Sequence, residues 1–155
     1  MKLKVLLVDD ELLIRLGVRS IINWEQHGFQ YMGDAPDGQK ALEMIEKEQP
    51  DIILTDIVMP RMDGLQLIEA VKARYPHIRI IVLSSHNEYN YLRQAMKLGV
   101  EDYLLKASMK PEELLEILLD MAERIRASRR EMHRQMESGP AAEEVGKARS
   151  EWLYQ

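Results

Sequence analysis

Hydrophobic and polar positions along the chain form two kinds of segment: short continuous apolar runs, and longer stretches with apolar residues at helical spacing. Apolar runs begin near residues 3, 29, 52, 78 and 101, a repeat of about 25 residues, which is the spacing of successive strand–helix units. Continuous apolar runs bounded by turn residues are typical of strands buried on both faces, as in a parallel sheet. The pattern therefore predicts five βα units.

The boundaries of these units follow from turn and cap residues. Strands are predicted at 3–8, 29–32, 52–56, 78–83 and 102–105, and helices at 11–24, 38–48, 64–75, 88–98 and from Pro111 onward. Right-handed crossovers make the sheet parallel, and the common five-strand order is 2-1-3-4-5. The predicted fold is α/β, a doubly wound, flavodoxin-like, five-stranded parallel sheet with an extended C-terminal helix.

Composition narrows the function classes. The chain has 155 residues, 46% of them hydrophobic, a net charge of −5 and no cysteine. This length fits one domain with an appendage, and the charge argues against a nucleic-acid-binding surface across the whole domain. Without cysteine there is no disulfide and no thiolate metal site. The first apolar run ends at Asp9, too early for a signal peptide or a membrane span, so we expect a cytoplasmic protein without membrane contact.

Polar side chains end four of the predicted strands. Strand 1 ends at Asp9 and Asp10, strand 3 at Asp56, strand 4 at Ser84 and strand 5 at Lys106. In the order 2-1-3-4-5, strands 1 and 3 are neighbours at the switch point, where open α/β sheets bind ligands. Three clustered carboxylates repel one another and need a cation, and oxygen ligands of this kind suit Mg²⁺.

This arrangement favours phosphoryl chemistry. A carboxylate oxygen of Asp56 that is free of the metal could attack phosphorus and form an aspartyl-phosphate. Lys106 and Ser84 would then neutralise and hydrogen-bond the phosphoryl oxygens.

Each of these residues also has an ordinary structural interpretation. Asp9 and Asp10 could cap the first helix, as we expect Asp63 to cap the third. Ser84 and Lys106 taken singly would be a loop hydroxyl and a solvated lysine, and Tyr103 would be packing in an edge strand. The histidines, which lack partners at ligand spacing, are expected on the surface or in loops: His27, His77, His86 and His133.

The motifs at these strand ends resemble the receiver domain of bacterial two-component response regulators. The matching residues are Val8-Asp9-Asp10-Glu11, Asp56-Ile57-Val58-Met59-Pro60, Met62-Asp63-Gly64, Ser84 and Tyr103-Leu104-Leu105-Lys106. The resemblance implies that Asp56 accepts a phosphoryl group from a sensor histidine kinase. It also implies Mg²⁺ held by Asp9, Asp10, Asp56 and the Val58 carbonyl.

The same resemblance implies a switch. Ser84 and Tyr103 match the family's pair, in which the hydroxyl follows the phosphoryl group and the aromatic ring turns inward. The surface of helix 4, strand 5 and helix 5 would then change and form a homodimer.

Finer motifs resemble the subgroup with an AraC-type helix-turn-helix output domain. They are Asp10-Glu11-Leu12-Leu13-Ile14-Arg15, Ile22-Asn23-Trp24, Gly28-Phe29 and Ser84-Ser85-His86-Asn87-Glu88-Tyr89. One position departs from the family: Ala107 follows Lys106 where a proline, often with a cis bond, is usual. A cis peptide before a non-proline residue costs about 3 kcal/mol, so either this loop is strained or a trans turn positions Lys106.

The C-terminal part changes character after Ile125. Apolar positions thin to Met132 and Met136 while charged residues accumulate, which is typical of a solvated helical extension or weak coiled coil. A break is expected at 138–140 and a marginal helix at 141–155. We expect a receiver domain at 1–125 and a helical linker at 126–155, with DNA contacted only through an output domain that this chain lacks.

Three other functions stay open from the residues alone. One is a Mg²⁺-dependent phosphatase with an aspartyl-phosphate intermediate; such enzymes resemble one another in an Asp-x-Asp element whose second aspartate protonates the leaving group, and here that position is Val58. A flavodoxin-like redox carrier would need a first loop that accepts a phosphate, and this one is acidic. An interaction module with an inactive site is the third. The favoured expectation is a signalling phospho-acceptor rather than an enzyme.

Overall fold

The computed structural model describes residues 2–85 and 88–137. His86, the break expected at 138–140 and the marginal helix expected at 141–155 lie outside them. By the contacts between its Cα atoms, the chain divides into two compact units, Met1–Ile117 and Leu118–Gln155.

Strands and helices alternate along the described chain as predicted. The strands are β1 (Leu3–Val8), β2 (Phe29–Ala35), β3 (Ile52–Asp56), β4 (Arg79–Ser84) and β5 (Asp102–Leu105). The helices are α1 (Leu12–Ile21), α2 (Gly38–Lys47), α3 (Gly64–Arg74), α4 (Tyr89–Lys97) and α5 (Pro111–Glu137). Short 3₁₀ turns occupy Glu25–His27 and Lys106–Ser108.

The five strands form one parallel sheet in the order β2-β1-β3-β4-β5, so the predicted topology is confirmed. β3 is buried along its whole length, which explains its continuous apolar sequence. One face of the sheet packs against α2, α3 and α4 through a cluster that includes Leu6, Ile53, Ile80, Ile45, Leu67, Ile68 and Ala95. This packing fixes the carboxyl end of β3 at the centre of the sheet's edge.

The boundary predicted for strand 2 was wrong. Gly33 was expected to end it, but β2 continues to Ala35, and the pairing with β1 shifts register there. Gly33 has φ 152°, and such a glycine inside a strand marks a bulge rather than an end.

The first helix is also shorter than predicted. α1 ends at Ile21 because Ile22 is extended, and Trp24 then folds back so that its indole N–H donates to the Arg19 carbonyl at 3.0 Å. The Trp24 ring packs edge-on against Phe29 and is buried.

Asp63 caps α3 as predicted, with Gln66 completing a capping box.

α5 is 27 residues long, which confirms the extended C-terminal helix. Met132 and Met136, both in the second unit, are exposed. Among the described helices, none combines the length and apolar character that crossing a bilayer requires.

Glu101 secures the start of the edge strand β5. Its carboxylate accepts a hydrogen bond from the Ile80 N–H and pairs with Lys72 Nζ at 2.8 Å, while its own N–H donates to the Ile80 carbonyl. We expect Glu101→Ala to lower the free energy of unfolding by about 2 kcal/mol, because it leaves the Ile80 N–H and the Lys72 ammonium without this acceptor.

Urea unfolding of the full chain would measure the loss. The matched control is Glu43→Ala, which removes an exposed pair with Lys40 and should cost no more than about 0.5 kcal/mol. Equal costs for the two variants would show that Glu101 has no special structural role.

Candidate functional site

The adjacent ends of β1 and β3 bring acidic residues together. Val8 pairs with Thr55, so Asp9 and Asp56 follow at the same edge of the sheet, and both are buried. Asp10 and Glu11 begin the connection to α1 and are exposed. One carboxylate oxygen from each of these four residues lies within 4.8 Å of the others. These oxygens are close enough to one another to bind one metal ion.

Lys106 reaches this group from the turn after β5. Its Nζ lies 2.9 Å from Asp9 Oδ2, 3.1 Å from Asp56 Oδ2 and 3.3 Å from Glu11 Oε1. The lysine side chain is itself only 8% exposed, so its pairs with the buried Asp9 and Asp56 are largely desolvated, whereas Glu11 is exposed. A residue 50 positions after Asp56 therefore becomes its direct partner.

The burial of these groups changes their acidity. Burial, followed by the nearby charge of Asp9, raises the pKa of Asp56 to about 7 despite its contacts with Lys106. Burial likewise raises the pKa of Asp9, more than its hydrogen bond from Glu11 lowers it. Burial alone would lower the pKa of Lys106, but its contacts with Asp9 and Asp56 outweigh this and raise it. Lys106 therefore stays protonated. Its single positive charge faces a group of four acidic residues, so it does not balance their charge when they are ionised.

One buried carboxylate oxygen at this edge lacks a hydrogen bond among the described residues, and its surroundings fit a hard cation. Asp9 Oδ1 accepts the Glu11 N–H at 2.9 Å, and Asp56 Oδ1 accepts the Ile57 N–H at 2.8 Å. Asp9 Oδ2 is buried and accepts no hydrogen bond from the described residues; its contact with Lys106 is an ion pair only. Such an oxygen, in a set made only of carboxylates, suits a divalent cation with oxygen ligands.

The segment after Asp56 folds tightly against the end of β3. The Gly64 N–H donates to the Ile57 carbonyl, and a Cβ on Gly64 would lie 2.2 Å from the Asp56 carbonyl oxygen. Val58 lies in this segment and is 47% exposed. That its carbonyl binds a metal stays a prediction.

The two proposed switch residues lie on neighbouring strands. Ser84 ends β4, is buried, and its hydroxyl donates to the Ser85 carbonyl at 3.2 Å. Tyr103 pairs with Val82 in the sheet and is 43% exposed. The structure therefore shows one arrangement of the pair, and their switching role stays a prediction.

The turn at Lys106–Ala107 needs no cis peptide. Every peptide bond of the described residues is trans, and Lys106–Ser108 forms a 3₁₀ turn. Lys106 reaches both buried carboxylates from this turn, so a trans turn, one of the two geometries considered for Ala107, positions the lysine.

Two further residues belong to the site and were not assigned a role from the sequence. Glu11 joins the acidic group and contacts Lys106. Arg15 Nη1 donates to the Asp9 carbonyl at 2.7 Å, and Arg15 Nε lies 3.5 Å from Asp34. Helical spacing places Arg15 one turn after Glu11, but only the fold reveals that it faces the end of β1.

A family model described as the response regulator receiver domain matches residues 5–119. Two similar curated proteins are the uncharacterized transcriptional regulatory protein YesN of Bacillus subtilis (strain 168) and the transcriptional regulatory protein DegU of Brevibacillus brevis. YesN is 48% identical over 66% of this chain, and DegU is 36% identical over 79% of it. The chain spans only 28% and 51% of the lengths of these relatives.

Solved structures show the same fold. The REC domain of AraT, a response regulator from Geobacillus stearothermophilus, is 35% identical, with a TM-score of 0.78 over 83% of this chain and 99% of that one. A two component transcriptional regulator AraC from Clostridium phytofermentans ISDg is 34% identical, with a TM-score of 0.73 over 80% of this chain and 95% of that one.

Proposed function

Because the chain belongs to the response regulator receiver family, we propose that Asp56 is the residue at which it accepts a phosphoryl group. The chain is the receiver domain of a two-component response regulator. Within the proposal, Mg²⁺ is held by Asp9, Asp10, Asp56 and the Val58 carbonyl. The observation that carries it is Lys106 paired with both buried carboxylates while Asp9 Oδ2 lacks a hydrogen bond.

The proposed transfer is a single displacement at phosphorus. An oxygen of the Asp56 carboxylate forms the new P–O bond, and the P–N bond of a phosphohistidine on the sensor kinase breaks, with its electron pair returning to the imidazole nitrogen. Lys106 lies beside Asp56 Oδ2 and balances charge there. When bound, Mg²⁺ supplies charge neutralisation and orientation of the phosphoryl oxygens.

This chemistry makes the protein a phospho-acceptor rather than a turnover enzyme. A phosphatase that uses an aspartyl-phosphate needs an acid to protonate the leaving group. Two residues after Asp56 the chain has Val58, whose side chain carries no proton donor.

The output of the switch is proposed from the family and the relatives. Ser84 follows the phosphoryl group, Tyr103 turns inward, and the surface of α4, β5 and α5 forms a homodimer. The exposed aromatic residues Tyr89, Tyr91 and Tyr103 on α4 and β5 support such an interface. Residues 1–125 would act as the receiver and 126–155 as the linker to an AraC-type DNA-binding domain, since similar proteins are named as transcriptional regulators.

Phosphorylation by a small donor tests the acceptor directly. The full chain is incubated with acetyl phosphate and Mg²⁺, and intact mass spectrometry is expected to show one added phosphoryl group. Peptide mapping should place it on Asp56, and chelation of Mg²⁺ with EDTA should prevent its addition, because the clustered carboxylates need a cation before an anionic donor can approach. Modification of another aspartate, or equal labelling in EDTA, would contradict the proposal.

A further inference from the structure

An ion pair joins Arg61, which lies in the segment that follows the proposed acceptor, to Asp37 at the start of α2. This segment, residues 57–63, connects β3 to α3 and is called the β3–α3 loop below. Arg61 Nη1 lies 2.9 Å from Asp37 Oδ2. The Asp37 side chain is 4% exposed and the Arg61 side chain is 72% exposed. The arginine therefore reaches from the surface to a buried aspartate.

Arg61 adopts a backbone conformation that needs support. Its φ is 65°, and no other non-glycine residue in the described ranges has a positive φ. An L residue with a positive φ is strained, and this conformation persists where surrounding contacts hold it. The ion pair with Asp37 is a contact that can hold Arg61 in this conformation.

Asp37 is a fixed anchor. Its Oδ1 accepts the Lys40 N–H at 2.8 Å and caps α2, which leaves Oδ2 for Arg61. The next residue, Gly38, donates its N–H to the Met62 carbonyl at 3.0 Å, and a Cβ on Gly38 would lie 2.8 Å from this oxygen. The start of α2 therefore contacts two consecutive residues of the β3–α3 loop.

The loop is held at three places. Its start is held by the Gly64–Ile57 hydrogen bond, its middle by the buried Met59, and its end by the contacts of Arg61 and Met62 with α2. Val58 lies between the first two, with an exposed side chain that gives it little anchorage of its own. The position of its carbonyl depends on how firmly the rest of the loop is fixed.

We propose that the Asp37–Arg61 ion pair is a positioning device that holds the β3–α3 loop in the conformation needed for divalent-cation binding. The inference rests on the proposed function, because it takes the Val58 carbonyl as a ligand. Arg61 itself is a cation and is not a ligand. Its role is to fix the backbone that carries one.

The direction in which cation affinity changes when Arg61 is replaced distinguishes a positioning role from a purely electrostatic one. Removing a positive charge near a cation site should strengthen cation binding if only the charge matters. The positioning role requires the opposite, weaker binding. Arg61→Gly is the informative variant, because glycine adopts the positive φ without strain while the ion pair is lost.

Electron paramagnetic resonance of free Mn²⁺ measures the binding without any phosphoryl transfer, and competition with Mg²⁺ relates it to the proposed metal. We expect Arg61→Gly to weaken Mn²⁺ binding about tenfold, as loss of an outer support does at other metal sites. Arg61→Lys should recover part of the affinity, since it restores a cation opposite Asp37. Asp37→Asn, which keeps the cap of α2, should weaken binding without adding to the effect of Arg61→Gly in the double variant.

Lys40→Ala is the matched control. It removes a positive charge from the same helix start, where Lys40 pairs with the exposed Glu43, and should leave the Mn²⁺ affinity unchanged or slightly tighter. Unchanged or tighter binding in Arg61→Gly would overturn the positioning role while leaving the proposed function intact. No Mn²⁺ binding by the unaltered chain would overturn both. Thermal unfolding of each variant identifies a change that is only structural, because that change would lower stability without altering affinity.

Discussion

Replacing Asp56 with asparagine is expected to abolish phosphorylation and, in the metal-free protein, to raise the free energy of unfolding. These opposite effects have one cause. The carboxylate is the only nucleophile that the proposed transfer uses, and an amide cannot replace it. Asp56 is only 3% exposed and lies beside the buried Asp9, so the charge of its carboxylate opposes folding. The gain should be on the order of 2 kcal/mol near neutral pH.

The pH dependence of this gain follows from the direction of the pKa shift. Folding raises the pKa of Asp56 from its ordinary value of 3.8 to about 7. The folded state then holds this proton more tightly than the unfolded state, so the contribution to stability is full below about pH 4 and is lost as the pH rises to about 7. Asparagine does not titrate, so the advantage of the variant should be largest above pH 7 and should shrink in acid.

Urea unfolding at about pH 5 and about pH 8, together with labelling by acetyl phosphate, measures both effects. Asp63→Asn is the matched control, because asparagine still caps α3 and the position is outside the acidic group. This control should be labelled normally and should change stability little at either pH. Labelling of Asp56→Asn would show that Asp56 is not the acceptor, and the same stability difference at both pH values would show that its charge does not oppose folding.

The parts of the fold that follow from local patterns could be predicted from the sequence. The sequence predicts β3 as a buried strand because every residue from Ile52 to Leu54 is apolar, and Pro60 prevents the strand from continuing. Gly33 shows the limit of such patterns. A glycine can end a strand or form a bulge within it, and only pairing with β1 decides between them.

The features of the candidate site also fall into two groups, those that sequence patterns predict and those that only the fold reveals. Strand order and strand ends suffice to place Asp9, Asp56 and Lys106 together, because parallel strands end at one edge. The contacts of Arg15 with Asp9 and of Arg61 with Asp37 depend on how a helix and a loop pack, and no spacing in the sequence encodes them. The raised pKa of Asp56 likewise could not be predicted from the sequence, since burial is its largest cause.

Gly64→Ala is expected to be the most destabilising single-methyl change near the site. The added Cβ would lie 2.2 Å from the Asp56 carbonyl oxygen and 2.6 Å from the Ile57 Cα. Both are backbone atoms at the end of the central strand, so no side chain can move aside to relieve the overlap. We expect the free energy of unfolding to fall by about 3 kcal/mol or more.

Gly17→Ala is the control for this change. Gly17 lies within α1 and a Cβ there would meet no atom within 4 Å, so alanine should stabilise the helix by about 0.5 to 1 kcal/mol. The same substitution should thus have opposite signs at two positions, measured by urea unfolding of the full chain.

The contact that Gly64 permits is with the backbone of Asp56 itself, which links this prediction to function. Where Gly64→Ala remains folded, the β3–α3 loop must move away from β3, and the Ile57 N–H that bonds Asp56 Oδ1 must move with it. Phosphorylation by acetyl phosphate should therefore fall in the folded fraction, beyond the loss explained by unfolding. Normal labelling of that fraction would show that the close packing of the loop supports only the fold and is not needed to orient the acceptor.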